Sequence, residues 1–558
     1  NDTTDPEAIL AFQTSTVITP YVDLVTPNPD KIIDGQTVGP ADPIRIELVD
    51  GSATTVNAGT IALSLNGASA APTTTKSGNR TTLLVSHAFP NLLPAGSTNT
   101  LTLVYSDTAT PANVYSNSWS FVVSKYVTIP AGIGSPIGSG DTTKPGFRIK
   151  TEQLDIFSPT VGTAGANQAQ NLVAFAEQEL LGLFGTNVAD LTLADANGYF
   201  HETGVINYDK DAANDGQQGN FGGETQVPGI PGNTQYSLNT ENYALEIQTY
   251  AEFPTAGLYT LGVSSDDGFA VTVATAPGPL LALNIGAPAA IAGRMGAVSG
   301  GTDEGGISKP LTGVSVTGKL VYANPPLADA PLQNAAAIAG NIALIDRGVV
   351  AYSAKLQAAL DAGAIGVVIV NNRDTNSPDG ILPVVMGGTP VNIPAVMVGL
   401  YDGQKLKDHL ADAGGVSVTI GGDTTLRLGD FNGGRGADAG TLFSFVVPTP
   451  GVYPLRNVTF QGGGGGNVEW FSVAADGTKI LLNDTATAGA IKTYQAVTTV
   501  ALPTVSVTSN GTEIVLTFTG TLQSSDTVNG AYAPVAGATS PLHVPFSVGA
   551  AKFYRASN

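Results

Sequence analysis

The chain has 558 residues, which is too long for one hydrophobic core and predicts roughly three to five domains. Its 45 acidic residues outnumber its 24 basic ones, and the net charge of −21 repels phosphate backbones, so nucleic acid is not expected as a partner. Cysteine is absent, which excludes disulfide bonds and thiolate metal sites.

The composition favours β-structure. Glycine and proline are abundant, with 68 and 35 residues, whereas Met and Trp number only 3 and 2. Many short strands joined by turns have this composition, and we predict a mainly β, multidomain protein. No run of about 18 apolar residues occurs, so no membrane insertion is expected. The opening NDTTDPEAIL has neither an initiator Met nor a signal segment, as expected of an extracellular or cell-surface protein after signal removal.

The first predicted domain spans residues 1–125. Segments such as IRIELVDG, TLTLVYSD and SWSFVVS alternate apolar and polar residues between turn-forming residues, as the strands of a β-sandwich do. We therefore predict an immunoglobulin-like β-sandwich. Residues 126–146, rich in Gly, Pro, Ser and Thr, are predicted to be a linker.

The start of this domain has two interpretations. The segment AILAFQTSTVITPYV carries apolar side chains suited to a strand, namely Ile9, Leu10, Phe12, Val17 and Ile18. It is either the first strand of its own sandwich or a strand that pairs with an exposed sheet edge of an adjacent copy. In the second case, other copies of the chain are its partners in a homopolymer.

A polar loop occurs early in the next predicted region, residues 147–300. Its sequence, NYDKDAANDGQQG, offers Asp209, Asp211 and Asp215 as oxygen ligands. This density of oxygen atoms suggests calcium, but Gly216 falls two places late for the EF-hand pattern. A solvated polar loop is the alternative to a calcium site.

Further along this region, the stretch YAEFPTAGLYTLGVSSDDGFAV resembles the core of the lectin-like sandwich domain named after anthrax protective antigen. A second part of such a domain is resembled by LFSFVVPTPGVYPLRNVTFQGGGGGNVEWFSVAADGTKILLND. The resemblance implies one β-sandwich whose two parts lie in residues 147–300 and 423–496.

The same resemblance implies a ligand. In sugar-binding members, an adjacent pair of aspartates holds a calcium ion that ligates sugar hydroxyls, and the matching positions here are Asp266 and Asp267. Calcium as a cofactor and polysaccharide as a partner follow as expectations. The alternative is that both side chains only cap the loop by accepting backbone N–H groups.

Residues 301–422, between those two parts, carry the most specific motif. The stretches GNIALIDRGVVAYSAKLQAALDAGAIGVVIVNN and NIPAVMVGLYDGQKLKDHL predict the order β, α, β, then β, α. They resemble the protease-associated domain, which implies a small α/β domain inserted in the sandwich. Val350 stands where many members have a cysteine. The apolar stretch from Ile393 to Val398 either binds a partner or packs in the core.

Two other segments complete the chain. The run QGGGGGN lacks the Lys and Ser/Thr of a P-loop and leads into a strand, so we expect it to allow backbones to approach closely rather than to bind phosphate. Residues 497–558 alternate again and resemble the small β modules that end some large bacterial surface proteins.

The histidines argue against catalysis. His87, His201, His409 and His543 are far apart, and neither His-Glu-x-x-His nor Gly-x-Ser-x-Gly occurs. We therefore expect no enzymatic activity, and predict an extracellular structural or adhesive surface protein that self-assembles into a fibre or coat by strand exchange. One alternative is a calcium-dependent glycan-binding protein. A further alternative is an accessory part of a secreted hydrolase system.

Overall fold

The computed structural model describes residues 17–26, 36–154, 169–213, 218–230, 240–278, 282–372, 381–437, 439–498, 504–509, 511–545 and 551–557. The protein is mainly β and multidomain, which confirms the predicted fold class. Two compact units are present, one within residues 1–137 and 141–496 and the other within residues 138–140 and 497–558. In the described part of the chain, no helix is both long and apolar enough to cross a membrane.

The first module of the larger unit consists of two sheets that face each other across an apolar core. Their strands are β1 (Tyr21–Thr26), β2 (Gln36–Val38), β3 (Ile44–Val49), β4 (Val56–Leu65), β5 (Ala68–Ser69), β6 (Thr73–Ser77), β7 (Arg80–Val85), β8 (Thr98–Asp107) and β9 (Val114–Val123). The strand orders are β1-β3-β7-β6 and β2-β9-β8-β4-β5. Alternate residues such as Ile46, Leu103 and Phe121 point into the core, as the sequence pattern predicts.

The predicted assembly segment is only partly described. Ile9, Leu10 and Phe12 lie outside the described residues, whereas Val17 and Ile18 are exposed. The Ile18 backbone N–H donates to Ser52 Oγ over 3.0 Å, and the Ser52 N–H donates to the Ile18 carbonyl over 2.8 Å. Ile18 is therefore held by its own module, next to the start of β1.

The next stretch supplies the first half of a second sandwich. It contains β10 (Tyr126–Thr128), β11 (Phe147–Gln153), α1 (Val173–Glu179), β12 (Tyr199–Glu202), β13 (Asn207–Asp209), β14 (Thr225–Gln226), β15 (Tyr243–Phe253), β16 (Gly257–Ser265) and β17 (Phe269–Thr272). β10 differs from the predicted linker because its residues pair in parallel with Ser444 to Val446 as a sheet edge.

An α/β domain follows as an insertion. Its elements are β18 (Ala282–Ala287), β19 (Gly293–Met295), β20 (Ala297–Ser299), β21 (Ser315–Tyr322), α2 (Ala335–Ile338), β22 (Ile342–Asp346), α3 (Tyr352–Asp361), β23 (Gly366–Val370), β24 (Ala395–Val398), α4 (Leu400–Asp408) and β25 (Ser417–Gly421), with 3₁₀ turns at Ala289–Ile291 and Thr302–Glu304. The sheet order is β19-β18-β25-β21-β22-β23-β24-β20.

The central strands of the insertion are parallel and almost entirely apolar. β22, β23 and β24 pair in parallel, and the buried side chains on their two faces belong to two core clusters, which is why their sequences read as continuous apolar runs. The inserted sheet begins at β18, earlier than the predicted boundary at residue 301, because β18 and β25 pair with each other. Short strands such as β18 to β20 leave little periodicity in the sequence.

The second half of the sandwich closes around the insertion. Its strands are β26 (Arg427–Phe431), β27 (Gly440–Val447), β28 (Gly451–Gln461), β29 (Asn467–Val473), β30 (Lys479–Leu481) and β31 (Thr493–Tyr494). The two sheets have the orders β10-β27-β16-β29-β13-β14 and β12-β11-β15-β28-β17-β26. The long pairing of β15 with β28 joins strands from the two sides of the insertion, and the core between the sheets contains Trp470, Phe445 and Ile247.

The smaller unit is built from two narrow sheets. Its strands are β32 (Val505–Ser509), β33 (Glu513–Phe518), β34 (Thr521–Ser525), β35 (Ala533–Pro534), β36 (Leu542–Pro545) and β37 (Phe553–Ser557). The strand orders are β32-β33-β36 and β35-β34-β37. Its buried apolar core is small and centres on Leu516, Phe518 and Leu522.

Candidate binding site

The Asp266–Asp267 pair lies at one end of the split sandwich, in the turn between β16 and β17. Each side chain is only 4% exposed, so neither belongs to a solvated surface loop. Asp267 Oδ1 accepts a hydrogen bond from Asn171 Nδ2 (2.8 Å), and its Oδ2 accepts one from the Gly462 N–H (2.6 Å). Asp267 therefore ties together the approach to α1 and the glycine run, as the capping interpretation expects.

Burial is not fully compensated at this carboxylate. Burial raises the pKa of Asp267 to about 6, and the neighbouring charge of Asp266 adds to the rise, whereas the hydrogen bond from Gly462 opposes it. The ionised form is therefore disfavoured in this environment. A cation bound nearby would stabilise it.

Asp266 has a different set of neighbours. Burial raises its pKa, while the Gln461 side chain and the charges of Lys210 and Arg435 act in the opposite direction. Arg435 also holds the turn, because its Nε donates to the Ser265 carbonyl (3.0 Å) and its Nη2 to Ser265 Oγ (2.8 Å). The two adjacent acids thus share the charge of Lys210 but differ in their hydrogen bonds, from Gln461 to Asp266 and from Gly462 to Asp267.

The second predicted acidic loop is brought close to the first. Asp209 and Asp211 are both buried, and Asp209 Oδ1 accepts a hydrogen bond from the Asp211 N–H (2.7 Å). Burial raises the pKa of the Tyr243 hydroxyl, and the charges of Asp209, Asp266 and Asp267 all add to that rise. The three aspartates therefore lie close enough to the same buried tyrosine to raise its pKa together. Asp215 lies outside the described residues.

The glycine run allows this close packing. A Cβ atom at Gly462 would lie 2.5 Å from Asn171 Oδ1, and one at Gly466 would lie 2.6 Å from Lys210 Cδ. Lys210 Nζ also donates to the Gly464 carbonyl. These glycines permit close approach, as the sequence suggested, although it is side chains that approach the backbone.

A polar pocket of about 350 Å³ opens beside Asp267. It is lined by Ala169, Gln170, Asn171, Glu241, Asn242, Gly462 and Gly463. Amide, carboxylate and backbone groups suit a ligand that has many hydroxyl or amide groups. Through Asn171 and Gly462, any such ligand would contact two groups that hydrogen-bond to Asp267.

These residues fit a calcium ion only in part. Within the described ranges, no group of three or more His, Asp or Glu side chains is arranged to hold a metal ion. Calcium at Asp266 would therefore need amide and backbone oxygens as additional ligands. Asn467 would be a candidate for such an amide ligand, since its buried Oδ1 has no hydrogen-bond partner and its carbonyl accepts from the Asp266 N–H.

Helix α1 connects this end of the sandwich to the insertion. Gln178 Nε2 donates to the Ala297 carbonyl (2.7 Å), and the Ala297 N–H donates back to Gln178 Oε1 (2.8 Å). Phe175 stacks on Phe184, and both pack against apolar residues of the insertion, including Val298. The insertion is thus fastened next to the polar pocket.

A buried ion network lies beneath the same helix and was missed from the sequence. Arg456 donates to both oxygens of Glu177, at 2.5 and 2.7 Å, and to Glu246 on β15. Burial acts to lower the pKa of Arg456, but the two glutamates outweigh it and raise that pKa. The only sequence signal was a charged residue in the middle of each of two long strands.

Inside the insertion, the contacts of Asp346 are structural in character. Asp346, at the end of β22, pairs with Lys407 (2.6 Å) and accepts a hydrogen bond from the Tyr322 hydroxyl (2.6 Å). The apolar residues from Ile393 to Val398 are buried in the core. The stretch from Ile393 to Val398 therefore packs in the core, which is one of its two predicted roles.

Comparison with known proteins identifies the insertion. A model of the PA domain family matches residues 316–406, so this part of the chain is a PA domain, as the motif predicted. No curated protein matches the chain. The resemblance of the split sandwich to the lectin-like family is not supported by these comparisons and stays a prediction.

Three solved structures are similar to parts of the chain. An aminopeptidase from Aneurinibacillus sp. strain AM-1 is 20% identical over 36% of this chain and 37% of that chain, with a TM-score of 0.19. BSAP, a zinc aminopeptidase from Bacillus subtilis, is 21% identical over 34% of this chain and 35% of that chain, with a TM-score of 0.17. A peptidase M28 precursor from Shewanella amazonensis SB2B is 16% identical over 35% of this chain and 40% of that chain, with a TM-score of 0.14. The chain thus spans well under half the length of each.

These structures correct one prediction. The expectation that the chain is not an enzyme is contradicted by this similarity to peptidases. Structures with TM-scores of 0.14 to 0.19 assign no activity to the chain itself. The sequence lacks the His-Glu-x-x-His and Gly-x-Ser-x-Gly motifs, and this excludes only the two catalytic arrangements that use them. Catalysis by carboxylate side chains needs neither motif.

Proposed function

We propose that the chain is an accessory, substrate-holding part of a secreted hydrolase system. The observation that carries this proposal is the docking of the insertion, which contains the PA domain, against the split sandwich through α1, beside the polar pocket. A polymer chain held in the pocket would run along a surface made of two domains. Protease-associated domains are often suggested to engage substrates, which fits this role.

Charge favours a neutral substrate. The net charge of −21 disfavours anionic polymers, whereas neutral amide and hydroxyl groups can pair with Gln170, Asn171 and Asn242 in the pocket. Glu241 adds a carboxylate that accepts hydrogen bonds from such groups. Polypeptides in extended form and polysaccharides both present these donors.

Calcium-dependent glycan binding is the second candidate function. It is favoured by one observation, the position of the pocket next to Asp267, whose carboxylate is buried with a raised pKa. Calcium at Asp266 and Asp267 would offset the negative charge and could accept sugar hydroxyls as further ligands. In that case polysaccharide is the partner and calcium the cofactor.

One binding experiment separates the two candidates. Fluorescence anisotropy would measure binding of labelled casein, an unfolded polypeptide, and of labelled mannan, each with calcium and after chelation. Tight binding of casein in both conditions supports the accessory role, whereas calcium-dependent binding of mannan alone supports the second candidate. Glu241→Gln is expected to weaken the binding about tenfold, the effect of losing a charged hydrogen-bond acceptor.

The control is Asp526→Asn, since Asp526 is 75% exposed in the smaller unit. Its binding should equal that of the unaltered chain. Binding of neither polymer would contradict both candidates. Release of peptides from casein by the chain alone would show catalysis of its own and contradict an accessory role.

A further inference from the structure

The β-sandwich of the smaller unit is incomplete. In the register of β32 and β33, Val505 pairs with Phe518 and Val507 with Leu516. Directly paired residues share one face of a sheet, so the two valines lie on the face that carries the buried core. Nevertheless Val505 is 41% exposed and Val507 is 64% exposed.

Val505 and Val507 are exposed because the opposite sheet, β35-β34-β37, is too narrow to cover them. Among the described strands, β37 pairs only with β34 and ends that sheet. A groove of about 310 Å³ remains between β37 and β32, with apolar lining residues that include Val505, Val507, Ile514, Val544 and Phe553. One more strand hydrogen-bonded to the free edge of β37 would extend the sheet towards these side chains.

We propose that this groove accepts the N-terminal segment of a second copy of the chain, residues 8–16, as an added strand on β37. Such a contact joins different surfaces of two copies. Contacts of this kind generate rings or open chains of subunits rather than closed dimers. The surface would therefore be an assembly site, separate from the pocket of the proposed function.

The sequence of the segment suits the groove. AILAFQTST contains no charged residue and begins with five apolar ones, enough to match the five residues of β37. Apolar side chains on one face of the added strand would cover Val505 and Val507. Leaving these two valines exposed to water costs free energy.

Charge complementarity supports the same occupant. Asp2, Asp5 and Glu7 precede the segment, and no basic residue occurs before Lys31. Lys552 lines the groove, where its Nζ lies 3.1 Å from Oδ1 of the exposed Asp526, and Arg555 on β37 is exposed. Opposite charges at the two surfaces would speed encounter and fix the direction in which the segment enters.

The test is sedimentation velocity of the full chain over a range of concentrations. We expect association that weakens at high salt and that Val507→Asp reduces at least tenfold, because the added strand would bury an unpaired charge. Val528→Asp is the matched control, since Val528 is an exposed valine of the same unit (59% exposed) outside the groove lining. It should associate like the unaltered chain. Thermal unfolding checks that both variants fold.

A separate experiment tests whether the N-terminal segment is the occupant of the groove. Deleting residues 1–16 should abolish association, and a synthetic peptide of residues 6–18 should then bind the deleted chain but not its Val507→Asp variant. Association that survives the deletion would overturn the proposed occupant. A chain that stays monomeric at every concentration, or peptide binding indifferent to Val507→Asp, would overturn the proposal.

Discussion

The split sandwich buries charged groups in two places that differ in their compensation. Beneath α1, Arg456 satisfies Glu177 with two hydrogen bonds and Glu246 with a third. At the loop end, Asp266 and Asp267 form no such direct ion pair among the described residues, and burial raises the pKa of both. Compensated charges fasten one part of a structure to another. Undercompensated ones leave free energy that a bound ion or ligand can recover.

Glu179 is an exception beneath the helix. It is 2% exposed, neither of its carboxylate oxygens has a hydrogen-bond partner, and burial together with the charge of Glu152 raises its pKa well above the usual value. Burial also raises the pKa of Glu152 to about 7, against the opposing effects of Lys150 and Asn187. Even the fastening region therefore carries an undercompensated pair.

The largest expected effect comes from breaking the compensated network. Arg456→Met leaves two glutamates buried without their cation, and we expect the free energy of unfolding to fall by about 3–5 kcal/mol. Urea unfolding at pH 7 measures it. The triple variant that adds Glu177→Gln and Glu246→Gln is the control, because it removes the uncompensated charges and should recover most of the loss. A single variant as stable as the unaltered chain would show that the network does not fasten the helix.

How much of this was predictable depends on the range of the interactions. The apolar runs of β22, β23 and β24 are local, so the sequence predicted the inserted domain. The Asp266–Asp267 pair is local as well, and its turn could be proposed as a site. Arg456 and Glu177 are 279 positions apart. Their contact exists because α1 packs against β28, which follows the insertion in the sequence, and no periodicity reveals that packing.

The polar pocket escaped the sequence analysis for the same reason. Gln170, Glu241 and Gly462 come from three separate segments, and each is unremarkable beside its own neighbours. The start of the insertion was placed too late because β18 to β20 are too short to show a pattern. The sequence thus predicts strands, helices and one turn, which are local. It does not predict surfaces that segments distant in the sequence form together.

Glu179 allows a second, smaller test of the comparison. The folded chain binds a proton at Glu179 more tightly than the unfolded chain, so the stability from this group is complete below about pH 4 and is lost as pH rises towards the folded pKa. Glu179→Gln removes the cost of ionisation. We expect it to stabilise the chain by about 1–2 kcal/mol at pH 8 and to change little at pH 4.

Urea unfolding of both chains at the two pH values measures this difference. Asp526→Asn is the control, since it removes a carboxylate that is 75% exposed. A Glu179→Gln variant that is less stable at pH 8 would mean that the carboxylate has a favourable partner when ionised, and the helix face would then be fully compensated.

Asp267→Asn has the smallest expected effect on stability and tests the other region. The amide relieves the ionisation cost but weakens the hydrogen bond from the Gly462 N–H, so the two changes oppose each other. We expect the free energy of unfolding at pH 7 to change by less than about 1 kcal/mol. The folded pKa of about 6 predicts that stability of the unaltered chain falls as pH rises from about 4 through 6, and that the variant loses this dependence.

Calcium turns the same variant into a test of the undercompensated site. If the ion binds the ionised pair, calcium should stabilise the unaltered chain more at pH 7 than at pH 5, because protons compete with it below the folded pKa of Asp267. Thermal unfolding with calcium and after chelation measures the shift, which Asp267→Asn should reduce. An equal shift in both chains would place any calcium elsewhere, and the two aspartates would then be structural caps like the charges beneath α1.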